Sequence, residues 1–178
     1  MNVNQNNYAF IDGNNLYLAI RDCGWKLDYG RFRVYLKEKW KVTKAYLFIG
    51  YVHSNQKLYQ ALKLQGYVLI FKPIVASDGD KIKGNVDAEM VLQTMIDYPE
   101  YAEAVLVTGD GDFYCLVKYL QEKKKLRRLF IPNRYHYSVL LRRALGESGK
   151  ITFMNDLRGL LEYKKTPLLS GVLQGGLQ

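Results

Sequence analysis

Short apolar runs recur along the chain, separated by amphipathic stretches, and several of those runs show no polar alternation. They are Tyr8–Asp12, Ala45–Val52, Tyr67–Lys72, Ala104–Thr108, Arg128–Ile131 and Ile151–Phe153, with Leu47-Phe48-Ile49 and Val105-Leu106-Val107 continuously apolar. A strand wetted on one face alternates apolar with polar residues. A strand that does not alternate is covered on both faces, as in a parallel sheet held between helices.

The intervening stretches carry the helix signals. Asp28 can cap a helix whose apolar face is Phe32, Leu36 and Trp40, at i, i+4, i+8 spacing. Ser54 begins a second, with Leu58, Tyr59 and Leu62 inward and Gly66 as its stop. Asn85 begins a third, which runs from Val86 toward Asp97 until Pro99 ends it. A fourth carries Phe113, Leu116, Val117 and Leu120, and a fifth, near Tyr137–Leu145, stops at Gly146. The β-α-β order predicts a three-layer α/β fold with a mainly parallel sheet flanked by helices. The 178 residues suit one domain, for which about 100–200 is usual, and we assign it residues 1–165. Residues 166–178, with three glycines and no charged side chain, are expected to be a flexible C-terminal tail whose leucines are free to dock elsewhere.

Composition narrows the setting. The longest apolar stretch, Ala45–Val52, is broken by a glycine, whereas a membrane span needs ~18 apolar residues, so no membrane partner is expected. The opening MNVNQNN lacks the basic start and apolar core of a secretory signal, which points to a cytoplasmic protein. Cys23 and Cys115 form no CxxC pair and are expected to be buried, reduced thiols. His53 and His136 stand apart from them, which argues against a structural zinc site. Lysine and arginine total 26 against 17 acidic residues, and the net charge of +9 favours a polyanionic partner.

Against this basic background, three segments concentrate carboxylates. Asp12 closes the first apolar run in Phe10-Ile11-Asp12-Gly13-Asn14-Asn15. Asp87 lies in the first turn of the third helix, within Lys83-Gly84-Asn85-Val86-Asp87-Ala88-Glu89. Asp110 and Asp112 follow the fourth run in Val107-Thr108-Gly109-Asp110-Gly111-Asp112-Phe113. In open α/β sheets ligands bind beyond the carboxyl ends of the strands, where the strand order reverses. If the strands ending at Asp12 and Thr108 are neighbours, these acids converge on one crevice, and the positive end of a helix dipole favours Asp87 there. Clustered carboxylates repel one another unless protonated or neutralised by a cation. An all-oxygen donor set suits Mg²⁺ or Mn²⁺, ions that serve phosphodiester hydrolysis without a protein nucleophile. Singly, an Asp-Gly turn or an early-helix aspartate is commonplace. Their joint placement is what argues for a site, with Asp12, Asp87 and Asp110 as ligands and Asp112 holding a water or a second ion.

Through FIDGNNLY at 10–17, KIKGNVDAEM at 81–90 and VTGDGDF at 107–113, the sequence resembles the NYN domain family, a branch of the PIN-like nucleases that includes LabA-like bacterial proteins. The likeness runs over roughly residues 8–160, with the motifs in the family's order. It implies a Rossmann-like PIN fold over the 1–165 domain and a metal-dependent ribonuclease activity. It also implies that Asp12, Asp87, Asp110 and Asp112 are the catalytic and metal-binding positions. Asn15 would orient the first carboxylate or a phosphate, and Thr108 matches the hydroxyl residue before the GDGDF turn. Where some members carry a further acid along the second helix, this chain has Gln93 and Thr94, and Glu89 is the candidate to compensate.

Lys81 and Lys83, just ahead of Asp87, are candidates for phosphate contacts, which give affinity without sequence information. Asn133-Arg134-Tyr135-His136-Tyr137 follows the fifth run and suits single-stranded or structured RNA, Arg134 by charge and Tyr135 by stacking. Two other readings compete. A haloacid-dehalogenase-type phosphatase would use Asp12 as nucleophile, but it wants an acid two residues on, where Asn14 stands. A catalytically silent RNA-binding module would keep the fold without turnover. Nucleotide-binding glycine motifs of the GxGxxG and GxxxxGK[ST] types are absent.

Overall fold

The computed structural model describes residues 6–72 and 86–164. Along the chain run β1 (Asn7–Asp12), α1 (Gly13–Asp22), α2 (Tyr29–Trp40), β2 (Val42–Gly50), α3 (Gln56–Leu64) and β3 (Tyr67–Lys72). There follow α4 (Asp87–Ile96), β4 (Ala104–Val107), α5 (Tyr114–Glu122), β5 (Leu126–Ile131), α6 (Val139–Leu145), β6 (Ile151–Phe153) and α7 (Arg158–Leu161). The six strands form one sheet in the order β3-β2-β1-β4-β5-β6, and every pairing is parallel. The chain builds outward from β1 to β3, then crosses back to lay β4 on the other side of β1. That reversal puts the switch point between β1 and β4, where Ile11 pairs with Val107.

Alternate residues of each strand feed two cores. Tyr8, Phe10, Tyr46, Phe48 and Leu106 face one layer with Met90 of α4, Leu116 and Leu120 of α5, and Leu141 of α6. Ala9, Ile11, Leu47, Val105, Val107 and Phe130 face the other, with Leu16 and Ile20 of α1, Phe32 and Leu36 of α2, and Leu62 of α3. Phe10, Ile11, Leu106 and Phe130 are fully buried, each contributing roughly 1.5–3 kcal/mol by leaving water. This two-sided burial is why the runs show no alternation, and the expected three-layer α/β architecture is the one observed.

Local chemistry sets the boundaries. Asp28 caps α2 by accepting the Arg31 N–H at 3.0 Å. The expected cap at Ser54 is displaced: His53–Asn55 forms a 3-10 turn and α3 begins at Gln56 with no side-chain cap. The shift rotates the face, so Tyr59 and Leu62 are buried while Leu58 is 49% exposed. Gly66, at φ +90°, takes the left-handed conformation that stops the helix. Ser138 caps α6, accepting the Leu140 N–H at 3.3 Å, and Gly146 ends it. Helix α1 is an addition to the expected elements. Its first residue, Gly13, packs where a Cβ would overlap Ile49 and lie 2.8 Å from the Phe48 carbonyl oxygen.

The thiol expectation needs correction. Cys115 is exposed and Cys23 only half-buried. Leu116, Val117 and Leu120 define the inward face of α5, which turns Cys115 outward. The proposed Asn85 cap, Lys81, Lys83 and the 166–178 tail lie outside the described residues. Among the described residues no helix is long and apolar enough to cross a membrane.

Candidate metal centre

The carboxyl ends of β1 and β4 and the start of α4 converge at the switch point. Asp87, Asp110 and Asp112 each offer a carboxylate oxygen, and the three oxygens lie within 4.8 Å of one another. Asp112 is exposed, while Asp87 and Asp110 are partly buried. Asp12 is only 4% exposed and sits deeper, close enough for the charges of Asp87 and Asp110 to act on it. Together with Asn14, Asn15 and Val86, the carboxylates of Asp12, Asp87 and Asp110 line an open cleft of about 440 Å³.

Backbone geometry holds the acids in place. Asp12 ends β1 and caps α1, its Oδ1 accepting the Asn15 N–H at 3.0 Å. Its Oδ2 faces the Thr108 hydroxyl at 3.4 Å, and that hydroxyl oxygen accepts the Asp110 N–H at 3.1 Å. The Asn15 side-chain oxygen accepts the Gly109 N–H at 2.8 Å, tying the loop after β1 to the loop after β4. Asp110 Oδ1 accepts the Asp112 N–H at 3.0 Å, which starts the 3-10 turn Gly111–Phe113. Asp87 is the first residue of α4, whose N-terminal dipole favours a negative charge.

Burial is the largest influence on Asp12 and pushes its carboxyl from the ordinary 3.8 up to about 6. The Asn15 N–H bond opposes the rise, the charges of Asp87 and Asp110 add to it, and the Thr108 hydroxyl opposes it again. A buried carboxylate beside two others is what a cation would relieve. The donor set is all oxygen and hard, so it fits Mg²⁺ or Mn²⁺ better than a thiolate- or imidazole-preferring metal.

The other expected positions divide. Asn15 and Thr108 sit between the acids and brace them. Glu89 faces Lys72 at 3.8 Å instead of joining the three aspartates. Thr94 is buried and donates to the Met90 carbonyl oxygen at 2.7 Å, a core position with no access to the cleft. Arg134 pairs with Asp156 and lies 4.9 Å over the Phe153 ring, while its neighbour Tyr135 is 76% exposed. Tyr137 packs edge-on against Phe153. Asp22, at the end of α1, lines the cleft with no sequence signal, whereas Asn133 and His136 belong to the Asn133–Tyr137 loop after β5 that the sequence marks for RNA contact. Only the strand order brings that loop beside β4, and a local pattern does not fix strand order.

A parallel, doubly covered sheet with aspartates gathered at its switch point defines the class: an α/β protein with an acidic site beyond the strand ends. The NYN domain matches residues 8–146, and the chain belongs to that family, a branch of the PIN-like nucleases. It is 26% identical over 168 residues to the low amplitude and bright protein LabA of Synechococcus elongatus, spanning 89% of this chain and 88% of LabA. Its fold is similar to a solved structure of a Vibrio parahaemolyticus protein of unknown function. The TM-score is 0.73 at 19% identity, over 92% of this chain and 99% of the other.

Proposed function

We propose that the protein is a divalent-metal-dependent ribonuclease that hydrolyses phosphodiester bonds at the switch-point cleft. The observation that carries this reading is the meeting of the Asp87, Asp110 and Asp112 oxygens within 4.8 Å, with Asp12 buried beside them. Asp12, Asp87 and Asp110 would hold Mg²⁺ or Mn²⁺, and Asp112 would orient a water or hold a second ion. When bound, such an ion polarises the phosphoryl group, lowers the pKa of water and offsets charge on the departing oxygen.

The chain's own groups do the rest. Thr108 and Asn15 fix the carboxylate directions, so that no reorganisation is needed as charge develops. The net charge of +9 favours a polyanionic substrate, and Lys81 and Lys83 are the sequence's candidates for its phosphate contacts. Arg134, held by Asp156 and Phe153, anchors the loop that presents Tyr135 to an unpaired base.

Defined single-stranded and structured RNAs incubated with Mn²⁺ test the proposal. Asp110→Asn is expected to slow cleavage at least ~100-fold with unchanged circular dichroism, and EDTA to abolish it. Equal rates for the two proteins would remove the aspartates from the mechanism. RNA retained by both and cut by neither would make the chain a binding module.

A further inference from the structure

One wall of the metal cleft is built without acids, by the loop after β5. Val107 of β4 pairs with Phe130 of β5, and three residues beyond that pair stand Asp110 on one strand's exit and Asn133 on the other's. Neighbouring strands lie roughly 4.8 Å apart, so the end of β5 delivers Asn133 beside the acidic turn. Asn133 is only 4% exposed, and it lines the cleft.

Its side chain is half used. Asn133 Oδ1 accepts the Tyr135 N–H at 2.9 Å, and because only an oxygen can accept there, this bond fixes which end of the amide is nitrogen. The Nδ2 donors have no hydrogen-bond partner among the described residues. A buried donor left without a partner is costly, and one that borders a cleft is matched to something that enters it. With Oδ1 committed, Asn133 offers donors only, so what it meets must present an oxygen.

The loop holds that nitrogen still. The His136 N–H donates to the Asn133 carbonyl oxygen at 3.3 Å and closes the turn. The Arg134 N–H donates to Asn155 Oδ1 at 2.9 Å, and the Arg134 side chain pairs with Asp156. At the loop's far end the Ser138 N–H donates to the Gly109 carbonyl oxygen at 3.0 Å, next to Asp110. A donor fixed in advance is what stabilises charge as it develops on an oxygen. Neutrality suits the place as well. A lysine or arginine there would pair with the aspartates, whereas an amide leaves them free for a cation.

We propose that Asn133 Nδ2 donates to a non-bridging oxygen of the RNA phosphate that enters the cleft. The inference rests on the ribonuclease reading for its substrate.

Two variants keep the turn and remove the donor: Asn133→Ser, whose hydroxyl still accepts the Tyr135 N–H, and Asn133→Asp, of nearly the same shape. Each is expected to lower kcat on single-stranded RNA roughly 100-fold with unchanged circular dichroism. Mg²⁺ affinity should be unchanged in Asn133→Ser. The serine penalty should shrink on RNA whose cleaved linkage carries one of the two phosphorothioate diastereomers, because sulfur accepts a hydrogen bond poorly. A penalty that follows base identity instead would move the donor to a base carbonyl and overturn the proposal. So would parental rates in both variants, or a loss matched by weaker ion binding. The readout independent of turnover is the nitrogen-labelled side-chain amide resonance of Asn133, which should shift when RNA binds Asp110→Asn in Mg²⁺. A shift with no cleavage by the parent protein keeps this contact and removes the nuclease reading. Cleavage by the parent with an unmoved amide keeps the nuclease and removes the contact.

Discussion

Thr108 is fully buried, and its hydroxyl stands between Asp12 Oδ2 and the Asp110 N–H. Thr108→Val keeps the shape and removes both partners' hydrogen bonds. It is expected to lower stability by about 1–3 kcal/mol in chemical denaturation and metal affinity by roughly 10–100-fold in titration calorimetry. Asp12 gives a pH signature. Its folded-state pKa of about 6 exceeds the ordinary 3.8, so the folded state retains the proton longer than the unfolded one. With no metal added, this group's contribution is therefore intact below pH ~4 and is lost as pH rises toward 6. The loss is at most about 3 kcal/mol, because each tenfold change in proton affinity is worth about 1.36 kcal/mol. Asp12→Asn, still a good helix cap, should flatten that slope in urea titrations across this range and leave the metal-free protein more stable than the parent at pH 7. An unchanged slope would show that Asp12 ionises without penalty.

At the scale of elements, the turn after β4 and the start of α6 are locked together. The Ser138 N–H donates to the Gly109 carbonyl oxygen at 3.0 Å, and a Cβ on Gly111 would come 2.9 Å from Ser138 Cβ and overlap its hydroxyl. Gly111→Ala should therefore dislodge the α6 cap, cost about 1–3 kcal/mol, and weaken metal binding through the displaced Asp110–Asp112 turn. Thermal melts of Gly111→Ala alone and with Ser138→Gly separate the steric cause from any other, since the second change should recover part of the loss. The strands were legible in the sequence because burial on both faces leaves an unmistakable apolar run. The α1 helix was not: Gly13, Asn14 and Asn15 are weak helix formers, and its cap is the same Asp12 that reads as a strand end. Asp12, Asp110, Asp112 and the Asn133–Tyr137 loop could be found because they follow strand ends, whereas Asp22 reaches the cleft on α1, the helix that the sequence did not announce.

For the molecule as a whole, an ion that binds the folded state and not the unfolded chain adds stability by mass action. Mg²⁺ or Mn²⁺ at a hundred times its dissociation constant should contribute about 2.7 kcal/mol, a rise in Tm on the order of 5–10 °C for a domain of this size. Scanning fluorimetry with and without EDTA reads it, and Asp110→Asn should show little of it. A flat melting temperature across the metal series would argue against the centre.

The split of the site across the sheet has a consequence for how the molecule matures. Asp12 ends the first strand, Asp87 opens the helix of the crossover from β3, and Asp110 and Asp112 follow β4 on its far side. Until β4 slides in beside β1 there is no knot of negative charge to hold apart, and no place for a cation to settle. On the proposed reading, ion binding therefore reports that β1, α4 and β4 have all been brought together.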